Sequence, residues 1–127
     1  MSNLITYLIM REELIERFLK FAVYIYKLEK PLCKTYSGRH VYGQLFRAGT
    51  SSGANYDEAT AAESRKDFIH KMQVALKELR ESRYWIRFIK ISEMLPKEDT
   101  VLKFLLKESM ELLNIIGKAV STAKKNK

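Results

Sequence analysis

A single cysteine, Cys33, stands among 127 residues, so no internal disulfide can form and a reducing cytoplasm is the expected setting. One cysteine with two histidines is also too few for a typical structural zinc site. Prolines number two (Pro31 and Pro96) and glycines five, and no stretch alternates with the period of a strand. With 46% apolar residues, that shortage of breakers predicts a compact helical chain with few turns. Long apolar runs are missing as well. Leu4 to Met10 comes nearest, but Arg11, Glu12 and Glu13 cut it short, and it has neither a basic segment before it nor a small-residue cleavage site after it. Residues 1–11 are therefore expected to be a packed or frayed leader, and a membrane is not an expected partner. Glycine-rich phosphate loops, nucleophile elbows and cysteine–histidine pairs do not occur. A di-iron bundle would need two Glu-x-x-His motifs and two further glutamates, whereas the chain has only the aspartate variant from Asp67 to His70. Neither an enzyme nor a metal or other cofactor is expected.

What is present is helical periodicity. Leu14, Phe18, Phe21, Ala22, Ile25 and Leu28, flanked by Ile15, Leu19 and Tyr26, make a buried stripe that predicts a first helix over about Glu12–Lys34, bent or stopped near Pro31. Ser37 is the expected cap of a second helix running to about Thr60 through Val41, Leu45, Ala48, Ser52, Asn55, Ala59 and Ala62. Ser64, with Asp67 three residues on, opens a third helix along Phe68, Met72, Ala75, Leu79, Ser82, Ile86 and Ile89, ending near Glu93. Pro96, Lys97, Glu98 and Asp99 suit the first turn of a fourth, with Leu102, Leu106, Leu113, Ile116 and Val120 as its stripe. Four such helices with short connections predict an all-α, antiparallel up-and-down four-helix bundle over residues 12–121, followed by a basic tail, 122–127.

The second helix contains an odd segment, "RAGTSSGANYDEA", Arg47 to Ala59, rich in poor helix formers yet in helical register with its surroundings. On a helical wheel it sorts into three faces. Ala48, Ser52, Asn55 and Ala59 turn to the core, while Gly49 and Gly53 share a flank with Tyr42, Phe46 and Tyr56. Arg47, Ser51, Asn55 and Glu58 fall within an arc of about 80° on the other flank. There they are expected to form a polar network with Glu78 and Glu81 of the third helix, since an unsatisfied buried polar group costs about 1 to 3 kcal/mol. That network would either fix helix register or line a polar cleft.

Leu45, Arg47, Ala48, Ser51, Ala54, Asn55 and Glu58, followed by Ser64, Phe68 and the run "ALKELRES" with Glu78, resemble the 23S ribosomal RNA intervening-sequence proteins, most strongly between Leu45 and Leu79. The pattern departs from theirs at Phe46, Gly53, Asp57 and Ala59. The resemblance implies a four-helix bundle assembling into a ring-like homo-oligomer, often a pentamer. It also implies kinship with accessory proteins of diversity-generating retroelements, which bind nucleic acid together with a reverse transcriptase. It carries no catalytic residues.

Lys and Arg outnumber Asp and Glu by 23 to 15, a net charge of +8, which raises the local concentration of polyanions. Lys66, His70, Gln73, Lys77, Arg80, Tyr84 and Arg87 recur every three or four residues on the third helix, a stripe that could follow a phosphate backbone while Tyr84 stacks on a base. RNA or DNA is the expected partner. A partner protein is the alternative, with the Tyr42, Phe46, Gly49, Gly53 and Tyr56 flank, together with Trp85 and Phe88, as candidate subunit interface.

Overall fold

The computed structural model describes residues 2–126, so Met1 of the leader and Lys127 of the tail lie outside the described residues. The chain forms α1 (Ser2–Tyr26), the single turn α2 (Glu29–Leu32), α3 (Tyr36–Thr60), α4 (Arg65–Ser92) and α5 (Thr100–Lys125). Four long helices make an all-α bundle. Residues of the expected leader from Ser2 onward are wound into α1 itself.

Helix boundaries follow local chemistry; α5 runs to Lys125 and so takes in most of the expected tail, and three further differences from the sequence reading concern caps and prolines. The first helix divides before Pro31: α1 stops at Tyr26, and Pro31 occupies the third position of α2, where a missing N–H leaves no helical bond unmade. Thr35, rather than Ser37, caps α3. Its extended backbone lets its hydroxyl accept from the Gly38 N–H at 3.0 Å, whereas Ser37 already lies within the first turn. Pro96 lies outside α5, in a turn whose carbonyl accepts from the Asp99 N–H at 3.0 Å, and Asp99 is the cap, accepting from the Leu102 N–H at 2.9 Å. Ser64 caps α4 as expected, accepting from the Asp67 N–H at 3.1 Å. Glu93, with φ 60°, ends α4 in the left-handed conformation, and the N–H groups of Glu93 and Met94 return to Lys90 and Ile89.

The core is built from Phe18, Phe21, Ile25 and Leu28, Leu45 and Ala48, Leu79, Ile86 and Ile89, and Leu102, Leu105, Leu112 and Ile116. Each large side chain buried here contributes roughly 1.5 to 3 kcal/mol. Three fully buried serines satisfy themselves within their own helices: Ser52 donates to Gly49 O (2.7 Å), Ser82 to Glu78 O (2.8 Å) and Ser109 to Leu106 O (3.2 Å). Such small side chains let neighbouring helices approach closely, and Ser109 also accepts from Arg83 of α4 at 3.1 Å. Leu19 and Tyr26, expected to flank the first core stripe, are instead exposed on the outer side of α1, 55% and 58% accessible.

Helix α1 packs against α3 and α5, and α4 packs against the same two, so α1 and α4 occupy opposite corners. The glycine flank of α3 is where α1 lands. A Cβ added at Gly53 would stand 2.9 Å from Phe18 Cβ, and one at Gly49 would overlap Ile25 Cδ1. Tyr56 stacks on Phe18 with ring centroids 5.1 Å apart, and Tyr56 and Tyr42 are buried within the chain. Tyr42, Gly49 and Tyr56, expected at a subunit interface, are buried within the chain and Gly53 is half-buried, because the close approach that glycine permits is used inside the chain by α1.

Candidate nucleic-acid-binding face

Arg65 to Ser92 is one uninterrupted helix, which puts Lys66, His70, Gln73, Lys77, Arg80, Tyr84 and Arg87 within an arc of about 100°. All seven are exposed. From Lys66 to Arg87 the face runs about 32 Å at 1.5 Å per residue. None of its cationic side chains makes an ion pair among the described residues, whereas Arg47 and Lys71 at the α3–α4 contact do. Arg83, one position off the face, donates to Leu106 O at 2.9 Å and Ser109 Oγ at 3.1 Å and so belongs to the α4–α5 contact.

Both ends of this face are concave. Near its start Arg65, Lys66, His70 and Lys124 line an open trough of about 840 Å³, with Arg65 donating to the Ala123 carbonyl at 3.0 Å. Near its end Tyr84, Arg87, Phe88, Ile91 and Ser92 line a pocket of about 330 Å³. Tyr84 meets Trp85 edge to face at 5.0 Å and is 61% accessible, so its outer ring face is free to stack. Trp85 is half-buried between Tyr84, Phe88 and His40, and Phe88 is 39% accessible. The apolar pocket escaped the sequence reading, although Tyr84, Phe88 and Ile91 at i, i+4 and i+7 carry its signal.

The expected polar network between α3 and α4 resolves into separate contacts. Arg47 donates to Glu78 at 3.0 Å and also to Glu81, and these carboxylates, Glu81 first, hold its guanidinium above the ordinary arginine pKa. Asn55 donates to the Ser51 carbonyl at 2.9 Å and to its hydroxyl at 3.2 Å, staying within α3. Glu58 receives Lys71 at 3.0 Å and raises the lysine pKa. Arg47 and Glu58 are too far apart along the helix, about 16 Å, to share one partner. Only Glu78 is buried, since the Arg47 side chain is 52% accessible. These pairs clamp α3 to α4.

A second clamp went unread in the sequence. Arg17 of α1 binds Glu108 of α5 in a fork, Nε at 3.0 Å and Nη2 at 2.6 Å, and reaches Glu111 at 3.1 Å; the bond to Glu108 is the main reason its pKa is raised. No group of three or more metal-ligating side chains gathers among the described residues, and none of their helices is long and apolar enough to cross a membrane.

Residues 12–118 match the family model described as 23S rRNA-intervening sequence protein. The fold is similar to a crystal structure from Bacteroides thetaiotaomicron described as a protein with unknown function from the S23 ribosomal protein family. The two share 32% identity and a TM-score of 0.77, over 87% of this chain and 97% of that one. No curated protein matches the chain.

Proposed function

The chain belongs to the 23S rRNA-intervening sequence protein family, and on that premise we propose that it is a non-enzymatic, homo-oligomeric bundle that binds nucleic acid through the outer face of α4 with little sequence specificity. The carrying observation is the alignment of exposed, unpaired cations along one face of a single helix. Arg17, Arg47 and Lys71 are held by carboxylates, whereas Lys66, Lys77, Arg80 and Arg87 stand exposed in a row without any. Side chains in that state attract phosphates and release counterions on contact, which gives affinity without reading bases. Tyr84 adds a stacking surface that accepts any base. RNA is the first substrate to try, and the cytoplasm is the compartment that suits a lone thiol.

The bundle is read as antiparallel and up-and-down. Arg47 meets Glu78 and Lys71 meets Glu58 across α3 and α4, so positions rising on one helix meet positions falling on the other. Arg17 with Glu108 and Tyr24 with Phe104 give the same sense for α1 and α5. Ring assembly, with a pentamer favoured, is supported by where apolar side chains remain exposed. Leu19, Val23 and Tyr26 lie on α1, and Phe88 and Ile91 on α4, at opposite corners of the bundle. Two different patches on opposite sides suit a head-to-tail contact, which closes into a ring when the rotation allows. Repetition of the α4 face around such a ring would turn weak patches into avid binding.

The alternative is an accessory subunit whose Tyr84–Phe88–Ile91 pocket receives a partner protein, the charge serving only encounter. Replacing Lys77, Arg80 and Arg87 together by glutamate separates the two: RNA retention is lost on the first reading and unchanged on the second.

A further inference from the structure

At the end of the bundle where α1 begins and α5 finishes, a cavity of about 490 Å³ lies between the four long helices. That is within the roughly 300 to 1,000 Å³ of small-molecule sites. Its walls are apolar, with Leu14, Phe68, Met72, Ile116 and Ala119 the main contributors. Among the described residues two charged side chains line it, Arg11 and Lys118, and both are cationic. Arg11 Nε is buried and has no hydrogen-bond partner among the described residues. A buried guanidinium donor left unpaired beside apolar walls is costly and calls for a partner.

We propose that this cavity binds a free fatty-acid-type ligand, its alkyl chain among the apolar walls and its carboxylate paired with Arg11 and Lys118. An aliphatic chain suits walls without an aligned polar group, and a carboxylate suits the fork of a guanidinium. A phosphate would carry an extra oxygen and charge for which the lining offers few further donors: among the described residues Thr60 and Thr122 are its hydroxyl side chains besides Tyr56. The cavity lining includes none of the face-forming side chains of α4.

The test uses the full-length protein with 11-(dansylamino)undecanoic acid as a fluorescent probe. Laurate, dodecanol, dodecyl phosphate and dodecyltrimethylammonium compete with it below their micelle concentrations. Expected are one probe per chain and displacement by laurate at concentrations at least tenfold below those of the alcohol and the phosphate, with none by the cationic amphiphile. In Arg11→Met, which keeps the apolar stem, laurate and dodecanol should compete equally while the thermal midpoint stays near that of the parent protein. Ala119→Trp, which fills the cavity, should abolish probe binding. Absence of probe binding, equal competition by laurate and dodecanol in the parent protein, or retained discrimination in Arg11→Met would each overturn the proposal.

Discussion

Gly53 lies against Phe18 so closely that an added Cβ would stand 2.9 Å from the phenylalanine Cβ, an atom fixed by the α1 backbone and unable to rotate away. Alanine would gain roughly 0.5 to 1 kcal/mol of helix propensity at this position, but overpacking costs about 1 to 3 kcal/mol, so the steric effect wins. Gly53→Ala is expected to lower stability by about 1 kcal/mol. Gly43→Ala should raise it by about 0.5 kcal/mol, because nothing lies within 4 Å of its added Cβ. Urea titrations of the two variants check the opposite signs. Gly49→Ala should fall between them, since the atom it meets is the mobile end of Ile25.

Arg17 and Glu108 form a fork whose carboxylate is buried while the arginine side chain is a third accessible. Removing the arginine strands a buried charge. Arg17→Met should therefore cost about 2 kcal/mol, between the values for exposed and fully buried pairs. Adding Glu108→Leu should restore most of the loss, and a double-mutant cycle by chemical denaturation measures the coupling.

Burial is the first cause that pushes the Tyr42 phenol above the ordinary tyrosine value of 10.0, followed by nearby Glu29. The folded state holds this proton more tightly than the unfolded state, so the associated stability is complete below pH 10 and is lost as pH rises through the folded pKa. Thermal midpoints measured between about pH 9 and pH 11 should fall less steeply in Tyr42→Phe than in the parent protein.

Leu19, Val23 and Tyr26 on α1 face away from the core, as do Phe88 and Ile91 on α4. A charge placed in either patch should break a head-to-tail ring while leaving the bundle folded. Light scattering is expected to show an oligomer for the parent protein and a monomer for both Val23→Lys and Phe88→Glu, with unchanged helical circular dichroism. A monomeric parent across micromolar concentrations would contradict assembly.

The bundle was legible in the sequence because its signals are periodic and local: Leu45, Ala48 and Ser52, like Leu79, Ser82 and Ile86, keep a single buried face, and Ser64 announces the start of α4. The Arg47 partners could be read for the same reason, since Glu78 and Glu81 flank the facing stripe. What a single helix cannot show is which neighbour covers which flank. Gly49 and Gly53 signalled a close approach, but only the packed chain identifies α1 as the approaching helix. The Arg17–Glu108 fork joins residues 91 apart and has no local mark at all. On α4 the solvent face was readable by subtraction from the core stripe, whereas the pocket beside Arg87 depends on how Phe88 and Ile91 turn.

Binding of a single-stranded RNA titrated with salt tests the function most directly. The parent protein should lose affinity steeply between 50 and 200 mM salt, with a log–log slope of about −0.7 for each phosphate neutralised. In the variant carrying glutamate at Lys77, Arg80 and Arg87 that slope should flatten and retention disappear, while stability and oligomeric mass are kept. Equal affinity and equal slope for the two proteins would contradict the role given to α4.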